Sequence, residues 1–290
     1  MSKTEKNADN DEDWDLIIRP KSGLLNIDLK EVWRYRDLMV LFVKRDFIAQ
    51  YKQTILGPLW HVIQPILTTV MFLLIFSRIA RIPTDGIHPV AFYMAGITIW
   101  NYFSICLLAT SNTFVANAGI FGKVYFPRLI TPISIVLSNL VKLGIQFGLL
   151  IAVLIWFHFN GFPLNVSYLW GMIPILVFVL AGISLGLGII ISSVTTKYRD
   201  FAVLLSFAVQ LGMYATPIAY PMSYLVNKSY GWIIKLNPLT PVVEAFRYCL
   251  FGKGTFVFSD LIYSFGFMTV VLVVGILMFN RVQKSFMDTV

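Results

Sequence analysis

What constrains this chain most is a series of apolar runs, each about as long as the roughly 20-residue helix that crosses a hydrocarbon core of about 30 Å. Six stand between charged or Pro/Gly-rich breaks: Leu59 to Ser77, Val90 to Val115, Ile133 to Phe157, Gly171 to Val194, Phe201 to Tyr220 and Leu261 to Phe279. Lipid offers no hydrogen bonds to a peptide group, so runs of this length close their own backbone as helices. The expected fold is an all-α membrane protein with six transmembrane helices. Composition excludes the soluble alternatives, because 57% of the 290 residues are hydrophobic and only 13% charged. The mean hydropathy is +0.74, and soluble domains carry about 25% charged residues. A soluble enzyme, a disordered chain and a disulfide scaffold are all ruled out.

The chain divides into an N-terminal cytoplasmic tail over residues 1–27, an amphipathic interface helix over 28–57 and a six-span transmembrane domain over 58–290. In the interface segment Leu29, Val32, Trp33, Met39, Phe42, Val43, Phe47 and Tyr51 recur near helical spacing, interrupted by Lys30, Arg34, Arg36, Lys44 and Arg45. That pattern predicts a helix lying along the inner interface, its apolar side in lipid, with a soluble helix packed on a small N-terminal domain as the alternative. Gly231 to Ile234 and Val242 to Phe251 are apolar but too short to cross, and suit re-entrant helices on the outer side between spans five and six. Basic residues concentrate in the tail, around Lys123 and Arg128, at Lys197 and Arg199, and at Arg281 and Lys284. Lys and Arg near span ends are retained in the cytoplasm, which puts both termini there. The polar, acid-rich Met1 to Asp15 holds no apolar stretch of the kind a cleavable signal needs.

The spans are poor in chemistry. Beyond Asp46 the carboxylates are Asp85, Asp200, Glu244, Asp260 and Asp288, in loops or at span edges, which leaves a proton- or ion-coupled relay nothing to work with. His61, His88 and His158 sit near three different span ends with no metal spacing, and Cys106 and Cys249 are too isolated for a framework. No catalytic, cofactor-binding or metal-ligating set is predicted. The cluster Phe251-Gly252-Lys253-Gly254-Thr255 lacks the spacing of a phosphate-cradling loop, so the chain is expected not to be an enzyme and not to hydrolyse ATP alone. The net charge of +8 fits basic cytoplasmic segments, and no aromatic-interleaved basic patch points to nucleic acid.

Four ordered motifs carry a resemblance. They are Lys44-Arg45-Asp46 through Tyr51-Lys52-Gln53-Thr54-Ile55-Leu56-Gly57-Pro58-Leu59-Trp60 to Gln64-Pro65; Lys123-Val124-Tyr125-Phe126-Pro127-Arg128-Leu129-Ile130; Lys197-Tyr198-Arg199-Asp200; and Asn237-Pro238-Leu239-Thr240-Pro241 followed by Glu244-Ala245-Phe246-Arg247. Together they resemble the permease subunits of ABC transporters that export polysaccharides, the O-antigen and teichoic-acid group, over roughly Arg19 to Arg281. The resemblance implies a homodimer in a bacterial cytoplasmic (inner) membrane, paired with a separate cytoplasmic ATPase that binds ATP and Mg. It implies a lipid-linked polysaccharide as cargo. It also makes the loop Asn117 to Thr131 the coupling helix that enters an ATPase groove, through Phe121, Lys123, Val124, Tyr125, Phe126, Pro127 and Arg128. From the residues alone, a short hairpin carrying Ile120, Phe121, Val124, Tyr125 and Phe126 either meets a partner or dips into the interface.

Thr240 and Pro241 start a helix that Gly252 can end, and Glu244 and Arg247, spaced i and i+3, share a face. They are the candidate outer gate, with an ordinary surface pair as the alternative. Aromatic rings let sugars slide past without a deep minimum. The candidate pathway rings are Trp60, Phe72, Phe76, Phe92, Tyr93, Trp100, Tyr102, Phe103, Tyr214 and Tyr220, with bundle packing as the alternative. Thr98, Asn101, Ser104, Ser111 and Asn112 mark a polar side of the second span that should meet another helix or water. Pro217 and Pro221 break the fifth span, and Lys142 is a lone cation in the third that should snorkel to the inner interface. Two other functions remain compatible: an ABC permease for another lipid or small molecule, and a passive channel. An embedded transferase lacks a visible acid/base pair.

Overall fold

The computed structural model describes residues 29–52, 54–161, 168–198, 200–225, 228–229 and 231–286. The expected tail 1–27, Arg199 and residues 287–290 lie outside this set. Among the described residues the regular structure is entirely helical: α1 (Leu29–Arg34), α2 (Arg36–Tyr51), α3 (Trp60–Phe72), α4 (Pro89–Ser111), α5 (Thr113–Phe121), α6 (Ile130–Phe159), α7 (Ile173–Thr195), α8 (Asp200–Tyr214), α9 (Gly231–Lys235), α10 (Thr240–Phe251) and α11 (Phe258–Phe286). Short 3-10 turns lead into α3 and α7, and α3 runs on as a wider π-helical stretch, Leu73–Ile79.

Five stretches are long and apolar enough to cross a membrane: Gly57–Ile79, Pro89–Ser111, Ile130–Phe159, Leu169–Thr195 and Phe258–Val282. They match the expected first to fourth and last spans. The expected fifth span, Phe201 to Tyr220, is not one helix. α8 ends at Tyr214 after 15 residues, about 22 Å of rise, and the chain then turns through Ala215 to Pro221. Pro217 lacks the amide that would continue the helix and biases Thr216 away from helical dihedrals, so the break follows from local chemistry.

α4 is the axis of the bundle. Its most apolar window is 78% buried, against 22% for the first and last spans, because α3, α6, α7, α8 and α10 all pack on it. Two contacts set the levels. At what we term the lower end, the Thr195 hydroxyl donates to the Ser111 carbonyl (2.8 Å), joining the ends of α7 and α4. At the upper end the His88 and Phe157 rings meet at 4.1 Å, tilted by 42°, joining the start of α4 to the end of α6. α8 starts beside the lower end of α7 and climbs. A Cβ on its Gly212 would lie 3.2 Å from the Trp100 ring, and one on Gly96 of α4 would lie 3.0 Å from Ile218.

α7 and α11 cross with almost no side chain between them. A Cβ on Gly186 would stand 2.8 Å from the Val271 carbonyl carbon, and one on Gly275 would stand 2.9 Å from the Gly186 oxygen. In lipid, where apolar burial drives little association, such close backbone approach is what holds helices together.

The N-terminal segment departs from expectation. It is two helices broken at Tyr35, and the predicted lipid-facing residues Val32, Met39 and Phe42 turn inward. They join Phe114, Phe121, Phe126, Ile130, Ile189 and Phe279 in a second core at the lower end. Of the predicted set Trp33 stays exposed, and Val40, Leu41 and Ile48, outside that set, are exposed beside it. The cause is a competing surface: α2 packs along the lower part of α6, and the rings of Phe121 and Phe126 fill the space between.

Candidate functional site

At the upper end, α10 is embedded against α4, α7 and α11 rather than lying on the surface, and Val242, Ala245, Cys249 and Leu250 are each fully buried. Pro241 sits in its first turn and Gly252 ends it in the left-handed region at φ 64°, as glycine does at helix ends. Thr240 does not cap the helix as expected, because its hydroxyl donates to the Ile234 carbonyl (2.7 Å) and ties α10 to α9. This embedding settles the surface-pair alternative: Glu244 is 4% and Arg247 1% exposed.

The pair is more than an ion pair. Arg247 donates from Nη1 to Glu244 Oε1 at 3.4 Å, and also to the Pro217 and Ile218 carbonyls of the broken segment. Its guanidinium lies 3.6 Å from the centre of the Phe92 ring on α4. Nearby, the Asn237 side-chain amide donates to the Ala215 carbonyl (3.0 Å) and to the Thr216 hydroxyl (2.9 Å), while the Tyr220 hydroxyl donates to the Tyr214 carbonyl (2.7 Å). A broken helix inside a membrane protein survives only where its freed carbonyls find donors. Here Tyr220, Asn237 and Arg247 supply them in order along the break. Glu244 also accepts from the Met222 amide and the Thr255 hydroxyl, each at 3.4 Å. The result is a clasp that fastens α10, α4 and the 215–221 break to one another. Asn237 and the carbonyl-binding role of Arg247 were not among the candidate residues, and their spacing from the break hides them in the sequence.

At the lower end the 122–129 loop splits in two. Phe121 and Phe126 are buried, and so is Arg128, at 8% exposure. Phe126 meets Phe42 edge-on at 5.6 Å and Phe121 at 5.8 Å. Arg45 lies over the Phe42 ring at 4.6 Å and Arg128 over Phe121 at 5.4 Å. Burial pulls the Arg128 guanidinium below its usual pKa, although a guanidinium stays charged in any accessible range. What faces outward is the tip, Lys123, Val124 and Tyr125, the last at 59% exposure. The expected coupling residues therefore divide: Phe121 and Phe126 are an anchor to which Arg128 belongs, and only the tip is free to meet a partner.

The candidate pathway rings also divide. Phe72, Phe92, Tyr93, Trp100, Tyr102 and Phe103 are core residues, at most 6% exposed, filling space around α4. Trp60 and Tyr214 are half exposed, and Phe76 and Tyr220 intermediate. Within a subunit the first group acts as packing. The polar side of α4 is largely satisfied internally: Thr98 bonds to Met94, Ser104 to Asn101, Ser111 to Leu108, and the Asn101 amide reaches Gln146 Oε1 on α6 at 3.4 Å. Among the described residues no cluster of His, Cys, Asp and Glu could hold a metal ion.

Residues 38–251 match the profile of the ABC-2 type transporter family. Two O-antigen export system permease proteins RfbA of Klebsiella pneumoniae are each 31% identical to the chain over 255 residues, covering 87% of it and 94% of their own length. An O-antigen export system permease protein RfbA of Myxococcus xanthus is 25% identical over 223 residues, covering 76% of the chain and 82% of its own. The matched region runs from α2 through the whole of α10, and so takes in both the lower loop and the upper clasp.

Proposed function

The chain belongs to the ABC-2 type transporter family, and from that premise we propose that it is the membrane subunit of an ATP-driven exporter of a cell-surface polysaccharide of the O-antigen class. The observation that carries the reading is the 31% identity to O-antigen export permeases across 87% of the chain. The cargo is lipid-linked, the membrane is the bacterial cytoplasmic membrane, and two copies form the translocation unit. ATP and Mg bind in a separate cytoplasmic ATPase chain.

Six crossings fit this role better than five, since the basic residues put both termini on one side and that requires an even number. α8 with the 215–221 break is the fifth in chain order and brings the number to six, which the climb of α8 from the Thr195 level to the Gly96 level supports. α9 and α10 are then the outer re-entrant pair. The lower end is cytoplasmic and the Lys123 to Tyr125 tip enters the ATPase, because an exposed ring on an anchored base offers a small protruding contact. Force applied there reaches α6 and α2 through Phe126 and Phe42. At the upper end Glu244 and Arg247 hold the outer gate through the clasp. Trp60 and Tyr214, exposed on α3 and α8, line the passage once two copies meet.

The test is deletion of the gene in its native bacterium. Loss of surface polysaccharide with accumulation of lipid-linked glycan inside, restored by the wild-type chain and not when the partner ATPase is catalytically dead, is the expected result. Unchanged surface polysaccharide in the deletion strain would overturn the reading.

A further inference from the structure

A cleft at the upper end has walls that are held in place and charges that are not used. It encloses about 330 Å³ between α9, α10 and the start of α11, and Lys235, Leu236, Glu244, Val257, Asp260 and Tyr263 are among its lining residues. The Tyr263 hydroxyl donates to the Leu236 carbonyl (2.7 Å) and the Thr240 hydroxyl to that of Ile234 (2.7 Å), so α9 is fastened to both α11 and α10. The cleft is therefore formed before anything enters it, and those two hydroxyls are already engaged. Lys235 and Asp260 are exposed on its walls, and among the described residues neither forms an ion pair, with the other or with any third group. The Asp260 carboxylate accepts from the adjacent Ser259 hydroxyl at 3.3 Å, through Oδ1. Deeper in, Glu244 Oε1 takes Arg247 and Met222 and Oε2 takes Thr255, each at 3.4 Å. A carboxylate offers about four acceptor places, so Oε2 keeps one.

Charge and depth indicate what such a cleft takes. Arg247 already balances Glu244, which leaves one cation, Lys235, and one anion, Asp260, lining the same space without meeting. A ligand that carries both signs satisfies both. The membrane-crossing stretch of α11 begins at Phe258 and Asp260 stands in its first turn, so the cleft lies where hydrocarbon gives way to headgroups. Its rim is apolar: Leu236 and Val257 are exposed, and so are Ile233 of α9 and Phe258 and Ile262 of α11, close by in sequence. A sugar would use the acceptors but neither the opposed charges nor the oily rim, and a small soluble zwitterion would leave the rim bare. We propose that the cleft binds the headgroup of a zwitterionic aminophospholipid. The phosphate meets Lys235, the ammonium donates to Asp260 and Glu244, and the acyl chains run along Leu236 and Val257 toward Phe258 and Ile262. The bound headgroup bridges α9 and α11 across the face of α10. The site requires the chain to cross a membrane, but neither a glycan nor an ATPase.

The test is equilibrium binding of dioctanoyl phosphatidylethanolamine to the full-length chain in a neutral polyoxyethylene detergent. Dioctanoylglycerol supplies the chains without charge, dioctanoyl phosphatidate lacks the ammonium, and O-phosphoethanolamine lacks the chains. The aminophospholipid is expected to saturate and to bind at least about 10-fold more tightly than either of the other two lipids, the effect of one charge-assisted contact. Lys235→Gln removes most of its advantage over dioctanoylglycerol, and Asp260→Asn most of its advantage over phosphatidate. Both side chains are exposed, so neither change opens the core. Equal binding of aminophospholipid and dioctanoylglycerol, or undiminished binding by the Lys235→Gln, Asp260→Asn double variant, overturns the proposal. O-phosphoethanolamine binding as tightly as the lipid overturns the lipid as its source, and octyl glucoside displacing the lipid at equal concentration overturns the zwitterion in favour of a sugar. If a variant fails to fold, the ranking of the three lipids on the wild-type chain decides: phosphatidate bound as tightly as the aminophospholipid refutes the site. Because no glycan and no ATPase are present, failure here leaves the export function standing, and failed export leaves this site standing.

Discussion

Replacing Arg247 separates a clasp from a simple ion pair. In Arg247→Met the Pro217 and Ile218 carbonyls lose their donor, Glu244 loses its counter-charge, and the Phe92 ring loses a cation at 3.6 Å. Breaking a buried pair by removing one partner costs about 3–5 kcal/mol. Glu244→Gln is milder, because Arg247 keeps both carbonyls and the amide can keep the Met222 and Thr255 contacts, a loss of about 1–2 kcal/mol. The decisive variant is the exchange, Glu244→Arg with Arg247→Glu. For a plain ion pair the exchange restores stability. In a clasp it puts a carboxylate against two carbonyl oxygens and fails as badly as Arg247→Met. The measurement is unfolding in mixed detergent micelles titrated with SDS, followed by tryptophan fluorescence. Arg247→Met no worse than Glu244→Gln, or an exchanged variant as stable as wild type, would refute the carbonyl-holding role.

Three further outcomes follow from the packing. Tyr125→Ala should abolish co-purification with the ATPase chain while leaving the unfolding free energy unchanged, since its ring is 59% exposed; Phe126→Ala should lower the unfolding free energy by about 3–5 kcal/mol, as loss of a buried ring does, and equal effects of both on stability would contradict the division of the loop. Gly186→Leu should prevent α7 and α11 from closing, because its Cβ alone would meet the Val271 backbone at 2.8 Å, whereas Gly144→Ala, with nothing within 4 Å, should be silent in the same titration. Gly96→Ala should cost about 1–3 kcal/mol by overpacking, since the new Cβ would stand 2.7 Å from Arg247 Nη2; a neutral result would mean the guanidinium is free to move.

The membrane spans that close their own hydrogen bonds were legible in the sequence, because length and hydropathy decide them. Leu59 to Ser77 was expected and Gly57–Ile79 is found; Val90 to Val115 ends at Ser111, where the helix passes into α5. The break in the fifth span was visible as Pro217 and Pro221, yet its stabilisation was not, since the donor Arg247 lies thirty residues from Pro217. Helical spacing alone suggests that Glu244 and Arg247 pair but not what else the guanidinium reaches. The same limit explains α2. An apolar stripe states that one face is buried, and whether lipid or protein buries it depended on Phe121 and Phe126, far along the chain.

These contacts also determine which parts of the subunit can move together. α8 buries only Leu205 and Val209 among its side chains, and Gly212 rests against Trp100, so its own hold on the bundle is slight. Its upper continuation, by contrast, is tied at Ala215, Thr216, Pro217 and Ile218 to Asn237 and Arg247. A displacement of α10 therefore carries the 215–221 break with it, at lower energetic cost than tearing four hydrogen-bonded positions apart. α4, buried on nearly all sides, is the frame against which that unit shifts. The Phe92 ring, packed on the guanidinium, and Gly96, against Ile218 and the same guanidinium, are the parts of α4 that hold this unit. The Glu244–Arg247 pair lies within α10 and so does not itself resist separation of α10 from α4, whereas the Arg247 contact with Phe92 does.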